Sequence, residues 1–283
     1  MPSVRKWLTK KENINESSNT RLDIALALQQ MDLRADYLAH MSRYCKIAQL
    51  MIDESRELKR PISVFELGCG DLWPLRYLYK AIVINKASVL KKYYGYDIDP
   101  QLEAFEYEDE NGEYTDKAPG WFKIFNCEMI LHDLTVDRFK LQPKSQDMFI
   151  CTEVIEHVNK EFVEPFIRRA WQTLRTGGLA FISTPNSDGS KAKLPIDHIY
   201  EWGYEELKTL LARFFKIESH YGTFIQLPYF KLARGSRNPF NGDWPDWLVE
   251  AIQGRFDKNW QRVIFAVNYP HLANNVTWIL RAK

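Results

Sequence analysis

The sequence predicts an α/β fold: a doubly wound, mostly parallel sheet with helices on both faces. Three observations predict it. From residue 61 to residue 224, short apolar runs of strand character alternate with longer amphipathic stretches. Turn-forming and acidic residues stand directly after these runs, at the carboxyl ends of the expected strands, where such sheets bind their ligands. The 283 residues are 45% hydrophobic and 27% charged, which suits one large domain with additions and excludes disorder over most of the chain.

The elements follow in order. Residues 21–59 contain neither Gly nor Pro, and Leu22, Ile24, Ala25, Leu28 and Met31, then Leu38, Met41, Tyr44, Ile47 and Met51, recur at helical spacing. One or two amphipathic helices are expected there, with Asn19-Thr20 as the cap. Residues 62–67 read as a strand that stops at Gly68-Cys69-Gly70, followed by a helix over 75–85. Residues 89–96 form the next strand, ending in Asp97-Ile98-Asp99-Pro100. The polar, turn-rich stretch 107–120 reads as a surface insertion. A third strand over 122–131 ends at His132-Asp133, and a fourth over 147–151 leads into a helix over 153–174. That helix is stopped by Gly177-Gly178. A fifth strand over 179–183 ends at Thr184-Pro185-Asn186; a helix over 204–215, a strand over 217–224 and a last strand over 276–280 complete the pattern. The expected organisation is an N-terminal helical extension (1–60), a core (61–225), an aromatic-rich cap insertion (226–262) and the final strand of the core (263–283).

Composition excludes several classes. Lys plus Arg is 38 against 37 acids, a net charge of +1, so no global field draws DNA or an anionic membrane, although a local basic groove stays open. The four cysteines lack CxxC spacing, which argues against a disulfide framework and a zinc ribbon. The N-terminus has no apolar core of a secretory signal, and no run of about 18 apolar residues occurs, so a cytoplasmic location without a membrane span is expected. The glycine turn is not a dinucleotide fingerprint, because Trp73 stands where the third glycine would be. A Walker loop is absent.

Glu66-Leu67-Gly68-Cys69-Gly70 after a strand resembles the first motif of the Class I S-adenosylmethionine (SAM) dependent methyltransferases. Gly95-Tyr96-Asp97-Ile98-Asp99-Pro100 is similar to that family's second-strand end, whose carboxylate accepts hydrogen bonds from the ribose hydroxyls, and His132-Asp133-Leu134 to its third-strand end, which receives the adenine amino group. Arg175-Thr176-Gly177-Gly178-Leu179 and Ser183-Thr184-Pro185-Asn186 resemble its Gly-Gly turn and fifth strand. The resemblance covers about residues 64–224 and the last strand. It implies a Rossmann-like seven-stranded sheet and a cofactor set of Glu66, Gly68, Cys69, Gly70, Asp97, Ile98, Asp133, Leu134 and Thr152. The sequence departs from the family at Leu72, where a small residue is usual, and at Trp73-Pro74. A bulkier floor to the methionine pocket is therefore expected.

After the fourth strand, Glu153, Glu156 and His157 are spaced i, i+3, i+4 and share one face if helical; His198 follows the fifth strand on the same edge. Such groups cost desolvation energy unless paired or used. The two segments resemble ubiquinone-pathway O-methyltransferases and the enzymes that 2′-O-methylate the 3′ ends of small RNAs. The latter implies Glu153, Glu156, His157 and His198 as ligands of Mg²⁺, Mn²⁺ or Zn²⁺ that binds substrate hydroxyls. Without a metal, His157 is a general base or a substrate contact. Cys151 reads as a buried thiol, since Ile150 precedes it where cytosine C5-methyltransferases carry Pro. The [DNS]-P-P-[YFW] run of base N-methyltransferases is absent after the fourth strand.

Arg234, Arg237, Trp244, Trp247, Arg255, Trp260 and Arg262 interleave cations with rings between residues 226 and 262. They form either a hydrophobic cap over the site or a surface that stacks nucleic-acid bases. The expected function is methyl transfer from SAM to a hydroxyl of a small molecule or nucleic acid. A nucleic-acid modifying enzyme using the cap and a non-catalytic SAM-binding scaffold, motivated by Leu72 and Trp73, stay open, as does the oligomeric state.

Overall fold

The computed structural model describes residues 35–70, 72–83, 88–98, 125–131, 133, 141–189, 194–225, 255 and 258–283, with two-residue strands at 107–108, 114–115, 237–238 and 242–243. The expectations for residues 1–34, Asp71, Asp99, His132, Leu134, most of the 107–120 insertion and most of 226–257 lie outside the described residues.

A seven-stranded sheet carries the fold. Its strands are β1 (Ile62–Leu67), β2 (Leu90–Asp97), β3 (Cys127–Leu131), β4 (Gln146–Thr152), β5 (Leu174–Pro185), β6 (Phe215–Gly222) and β7 (Asn275–Ala282). Their order across the sheet is β3-β2-β1-β4-β5-β7-β6, parallel except for β7, which is antiparallel to both neighbours. The expected mostly parallel sheet is present, and the ends of β1, β2, β3, β4 and β5 share one rim. The fifth strand begins earlier than its apolar run. Gln146 faces Leu174 but Met148 faces Leu179, so residues 175–178 bulge out between them. At Gly178 a Cβ would sit 2.9 Å from the Arg175 carbonyl oxygen, which explains the glycine.

Helices cover both faces. β4 is buried along its whole length, as a central parallel strand must be. On one face Phe65, Leu67, Phe149, Cys151, Ile182 and Trp278 pack against α3 (Lys160–Thr173) and α4 (Tyr204–Phe214); on the other Val64, Tyr93, Ile150 and Phe181 meet α1 (Ala35–Glu57) and α2 (Trp73–Val83). A further helix, α5 (Lys258–Asn268), lies against β6 and α1.

The buried stripe of α1 reads His40, Arg43, Tyr44, Ile47, Ala48, Met51, Glu54 and Ser55, at the i, i+3, i+4 spacing of one helix face. Two of its members are charged and lie about 16 Å apart along the axis. Glu54, at the amino-terminal rim of the sheet, accepts from Arg175 at 2.5 Å and from Arg281 at 2.6 Å. Beside it Asp147 accepts from Arg60 at 2.6 and 2.9 Å, from Arg175 at 2.8 Å and from the Ser63 N–H at 2.9 Å. This network ties α1, β1, β4, β5 and β7 at the rim opposite the glycine turn. Inside the α1/α2 face one further acid is buried. Glu66 of β1 accepts a short hydrogen bond from the Tyr93 hydroxyl of β2, and burial pushes its carboxyl up to about 8.

Two outcomes are expected. Burial opposes ionisation of Asp147, but Arg60, the Ser63 N–H and Arg175 outweigh it and hold the carboxyl below its ordinary range. Its stabilising contribution is therefore present above the unfolded carboxylate range and lost as pH falls through the lower folded value. Asp147→Asn should cost about 1–3 kcal/mol at neutral pH by urea denaturation, because two partly exposed guanidinium groups and the Ser63 N–H lose a charged acceptor. Glu66 has the opposite sign. The folded state keeps its proton while the unfolded chain ionises, so stability falls between the ordinary carboxylate range and pH 8, by at most about 1.4 kcal/mol per pH unit. Glu66→Gln should flatten that decline in urea titrations at pH 5 and pH 8.

Candidate active site

The glycine turn after β1 needs left-handed backbone at three positions: Gly68 (φ +69°), Gly70 (φ +44°) and Leu72 (φ +56°). The Gly68 and Cys69 N–H groups donate to the Tyr96 carbonyl at 2.8 and 3.1 Å, and the Gly70 N–H donates to Asp97 Oδ2 at 2.7 Å. The turn is thus pinned to the end of β2. A Cβ at Gly68 would lie 2.2 Å from Val154 Cγ2, so the chain after β4 closes against it; a Cβ at Gly70 would meet nothing within 4 Å. This leaves open space over the second glycine, flanked by the Asp97 carboxylate.

Leu72 and Trp73, expected to bulk the pocket floor, turn into the core. Leu72 Cδ2 and Cys69 Sγ sit 3.1 and 2.8 Å from where a Cβ of Gly95 would be. Gly95 in mid-strand makes room for both. Trp73 is 9% exposed and stacks on Tyr44 of α1, ring centroids 6.3 Å apart, with Arg76 over its face. Of the other expected cofactor residues, Glu66 lies beneath the turn with Tyr93, Thr152 is buried at the end of β4, Asp133 is half-buried after β3, and Ile98 is exposed beside Asp97.

The Glu/His segment departs from the expected helix. Glu153 has φ +55°, which no right-handed helix accommodates. A single 3₁₀ turn, Ile155–His157, follows, and α3 starts only at Lys160. Glu153 consequently leaves the group it was expected to join. Its carboxylate accepts from Ser183 Oγ at 2.9 Å and from the Asn275 side-chain amide, and lies 3.1 Å from Arg43 Nη1. Among the described residues, ligand atoms of three of the four expected residues, Glu156, His157 and His198, lie within 4.8 Å of one another, and Glu153 stands outside that group.

Those three side chains are oriented by their neighbours. The His157 and His198 rings meet edge to face, centroids 5.0 Å apart. His157 Nδ1 donates to the Asp197 carbonyl at 2.7 Å, and a carbonyl only accepts, so the proton is on Nδ1. His198 Nδ1 pairs with Glu201 Oε1 at 2.7 Å. Burial works against protonation of His198, but the Glu201 hydrogen bond and the charges of Asp197, Glu201 and Glu153 prevail and raise it. Glu156 is 1% exposed and accepts from Thr184 Oγ1 at 3.0 Å; burial and the Glu153 charge push its carboxyl well up. The loop bearing His198 is fastened to this acid, since the Ile199 and Tyr200 N–H groups donate to the Glu156 carbonyl at 2.8 and 3.1 Å. Sequence reasoning missed Arg43, Glu201, Ser183 and Asn275. Only Glu201, three residues after His198, carried a local signal.

A family model described as a methyltransferase domain matches residues 37–227. No curated protein matches the sequence. Among solved structures, the chain is similar to a SAM-dependent methyltransferase from Archaeoglobus fulgidus, with 14% identity, 83% of this chain and 94% of that chain covered, and a TM-score of 0.47. It is similar to the N-methyltransferase NodS from Bradyrhizobium japonicum WM9 at 10% identity, 86% and 96% coverage and a TM-score of 0.47. For a TehB-like SAM-dependent methyltransferase from Corynebacterium glutamicum the values are 14%, 81%, 87% and 0.42. With two thirds of its length matched by that one model, the chain belongs to the methyltransferase domain family and is a methyltransferase.

Proposed function

We propose that this methyltransferase transfers its methyl group to a hydroxyl oxygen, with Glu156, His157 and His198 handling the acceptor through a divalent cation. The observation that carries the reading is the pair of second-sphere contacts. Both imidazoles commit Nδ1, to the Asp197 carbonyl and to Glu201, which leaves both Nε2 atoms to act beside the Glu156 carboxylate. Ligands held by outer hydrogen bonds to backbone and carboxylate are the usual arrangement of a histidine metal site.

The donor set fits the groups the reading needs. Asp97 has the chemistry to accept from vicinal hydroxyls, and the open face of Gly70 admits close approach of a nucleoside. One carboxylate and two imidazoles suit Mn²⁺, Zn²⁺ or Mg²⁺. The cation would lower the acceptor hydroxyl's pKa and orient its oxygen. SAM supplies a methyl group already activated by the sulfonium.

The chain's own residues then have few tasks. The rim must set the acceptor oxygen in line with the methyl carbon, a positioning effect. The acceptor oxygen would form the new O–C bond as the C–S bond gave its electrons to sulfur, and the hydroxyl proton would pass to a base. Asp197 and Glu201 keep both histidines from rotating, and Thr184 keeps the buried Glu156 oriented. The exposed side of His157 gives the site its opening.

Incubation of the protein with labelled SAM and a cell extract tests this. Transfer should disappear with EDTA and return with Mn²⁺ or Mg²⁺. His157→Ala and His198→Ala should each lower transfer about 100-fold or more while SAM affinity by calorimetry changes less than about threefold. Transfer that resists the chelator but fails in His157→Ala would make His157 the general base instead. The labelled product separates a small-molecule acceptor from RNA or DNA.

A further inference from the structure

The loop that carries His198 holds its apolar side chains out in water. Among the described residues six large apolar side chains are exposed, and three of them, Leu194, Ile196 and Ile199, fall within one run of six residues. Ile196 is fully exposed. The His198 N–H donates to the Pro195 carbonyl at 3.1 Å, so Ile196 stands at the first corner of a β-turn, in a kind of structure that Gly, Pro, Asn, Asp and Ser dominate. Three hydrogen bonds keep the loop from folding these groups inward. The Ile199 and Tyr200 N–H groups donate to the Glu156 carbonyl at 2.8 and 3.1 Å, and the Asp197 carbonyl accepts from His157 at 2.7 Å. The backbone is thus tied to the site on both sides of His198. Apolar side chains clustered in water on a fixed backbone mark a surface that a ligand or partner covers.

Place and charge narrow the occupant. Consecutive Cα atoms lie about 3.8 Å apart, so Ile199 is one such step, and Ile196 at most two, from the histidine assigned above to the acceptor. The other charged residues at 195–201 are acids, Asp197 and Glu201. Lys160, which reaches Tyr200 at 3.0 Å, is already bonded to Glu206 at 2.5 Å. Acids at the mouth of a site repel a phosphodiester chain and admit a neutral molecule. A few orienting polar groups bordered by fixed apolar ones have the make-up of a small-molecule site.

We propose that Leu194, Ile196 and Ile199 bind the body of the acceptor, and that this acceptor is an uncharged small molecule, a hydroxyl borne on an apolar frame. The inference rests on the reading of methyl transfer to a hydroxyl given above and adds the class of molecule to it. The three side chains set specificity and take no part in the chemistry.

The full chain is incubated with labelled SAM, Mn²⁺ and a cell extract, and the product is divided between chloroform and water. Label should pass to the chloroform phase in a form that resists nuclease. Ile196→Ser combined with Ile199→Ser should raise the amount of extract needed for half-maximal transfer about 10-fold or more, since each buried CH₂ is worth about fourfold in affinity. The maximal rate should change less than about twofold. Leucine at both positions keeps the apolar area and should recover most of the loss. SAM affinity by calorimetry should match the wild type in both variants, which separates lost acceptor binding from lost fold. Label confined to water or to nuclease-sensitive polymer would overturn the proposal and leave methyl transfer standing. So would an unchanged extract dependence in the serine variant, including one that has lost binding to phosphatidylglycerol vesicles. A wild type that labels no fraction would overturn the transfer reading together with the proposal.

Discussion

Charge removed from water has to be balanced, and helix α1 buries a charge at each end of one stripe. Glu54 is met at one rim of the sheet by two guanidinium groups, in a network where every acid has several donors. Arg43 is met at the other rim by a single carboxylate and keeps its donors unbonded. The same helix is therefore saturated with hydrogen bonds at one rim and joined by a single ion contact at the other. Packing alone would position α1 loosely, since apolar contact is non-directional; the two ion contacts fix its height along the sheet and the facing of its stripe.

The same rule orders the rest of the carboxyl-terminal rim. Four of the acids near it each have a different solution. Glu66 keeps a proton with Tyr93, Asp97 takes the Gly70 N–H, Glu153 takes Arg43 with Ser183 and Asn275, and Glu156 takes Thr184 and lies against two imidazoles. Structural and chemical roles are thereby separated between residues only three apart. Glu153 ties down helix α1, and Glu156 lies against the two histidines.

Much of this was legible in the sequence. Glycines after a strand, acids after the next two and a Glu/His run after the fourth mark strand ends, because a parallel sheet gathers its strand ends at one rim. The joining of His198 to His157 was legible for the same reason. Three things were not. The helix expected from residue 153 begins at Lys160, because the spacing that suggested one helical face cannot reveal a left-handed residue at Glu153. The bulk of Leu72 and Trp73 was visible, but their destination depended on the missing side chain of Gly95 and on Tyr44, far away in sequence. Arg43 is a charged residue among the apolar positions of α1, and its ion contact with Glu153, 110 residues away in sequence, exists only in the packed fold.

The antiparallel strand has a consequence for synthesis of the chain. β6 touches the sheet only through β7, which lies between it and β5. Residues 223–274 must therefore leave the ribosome before β6 has anything to pair with. Until then Phe215 lacks its strand partner Ala282, and Trp278, the largest fully buried side chain among the described residues, is still to come. The nascent protein carries a detached strand and an open sheet edge through that interval, the kind of surface that chaperones recognise.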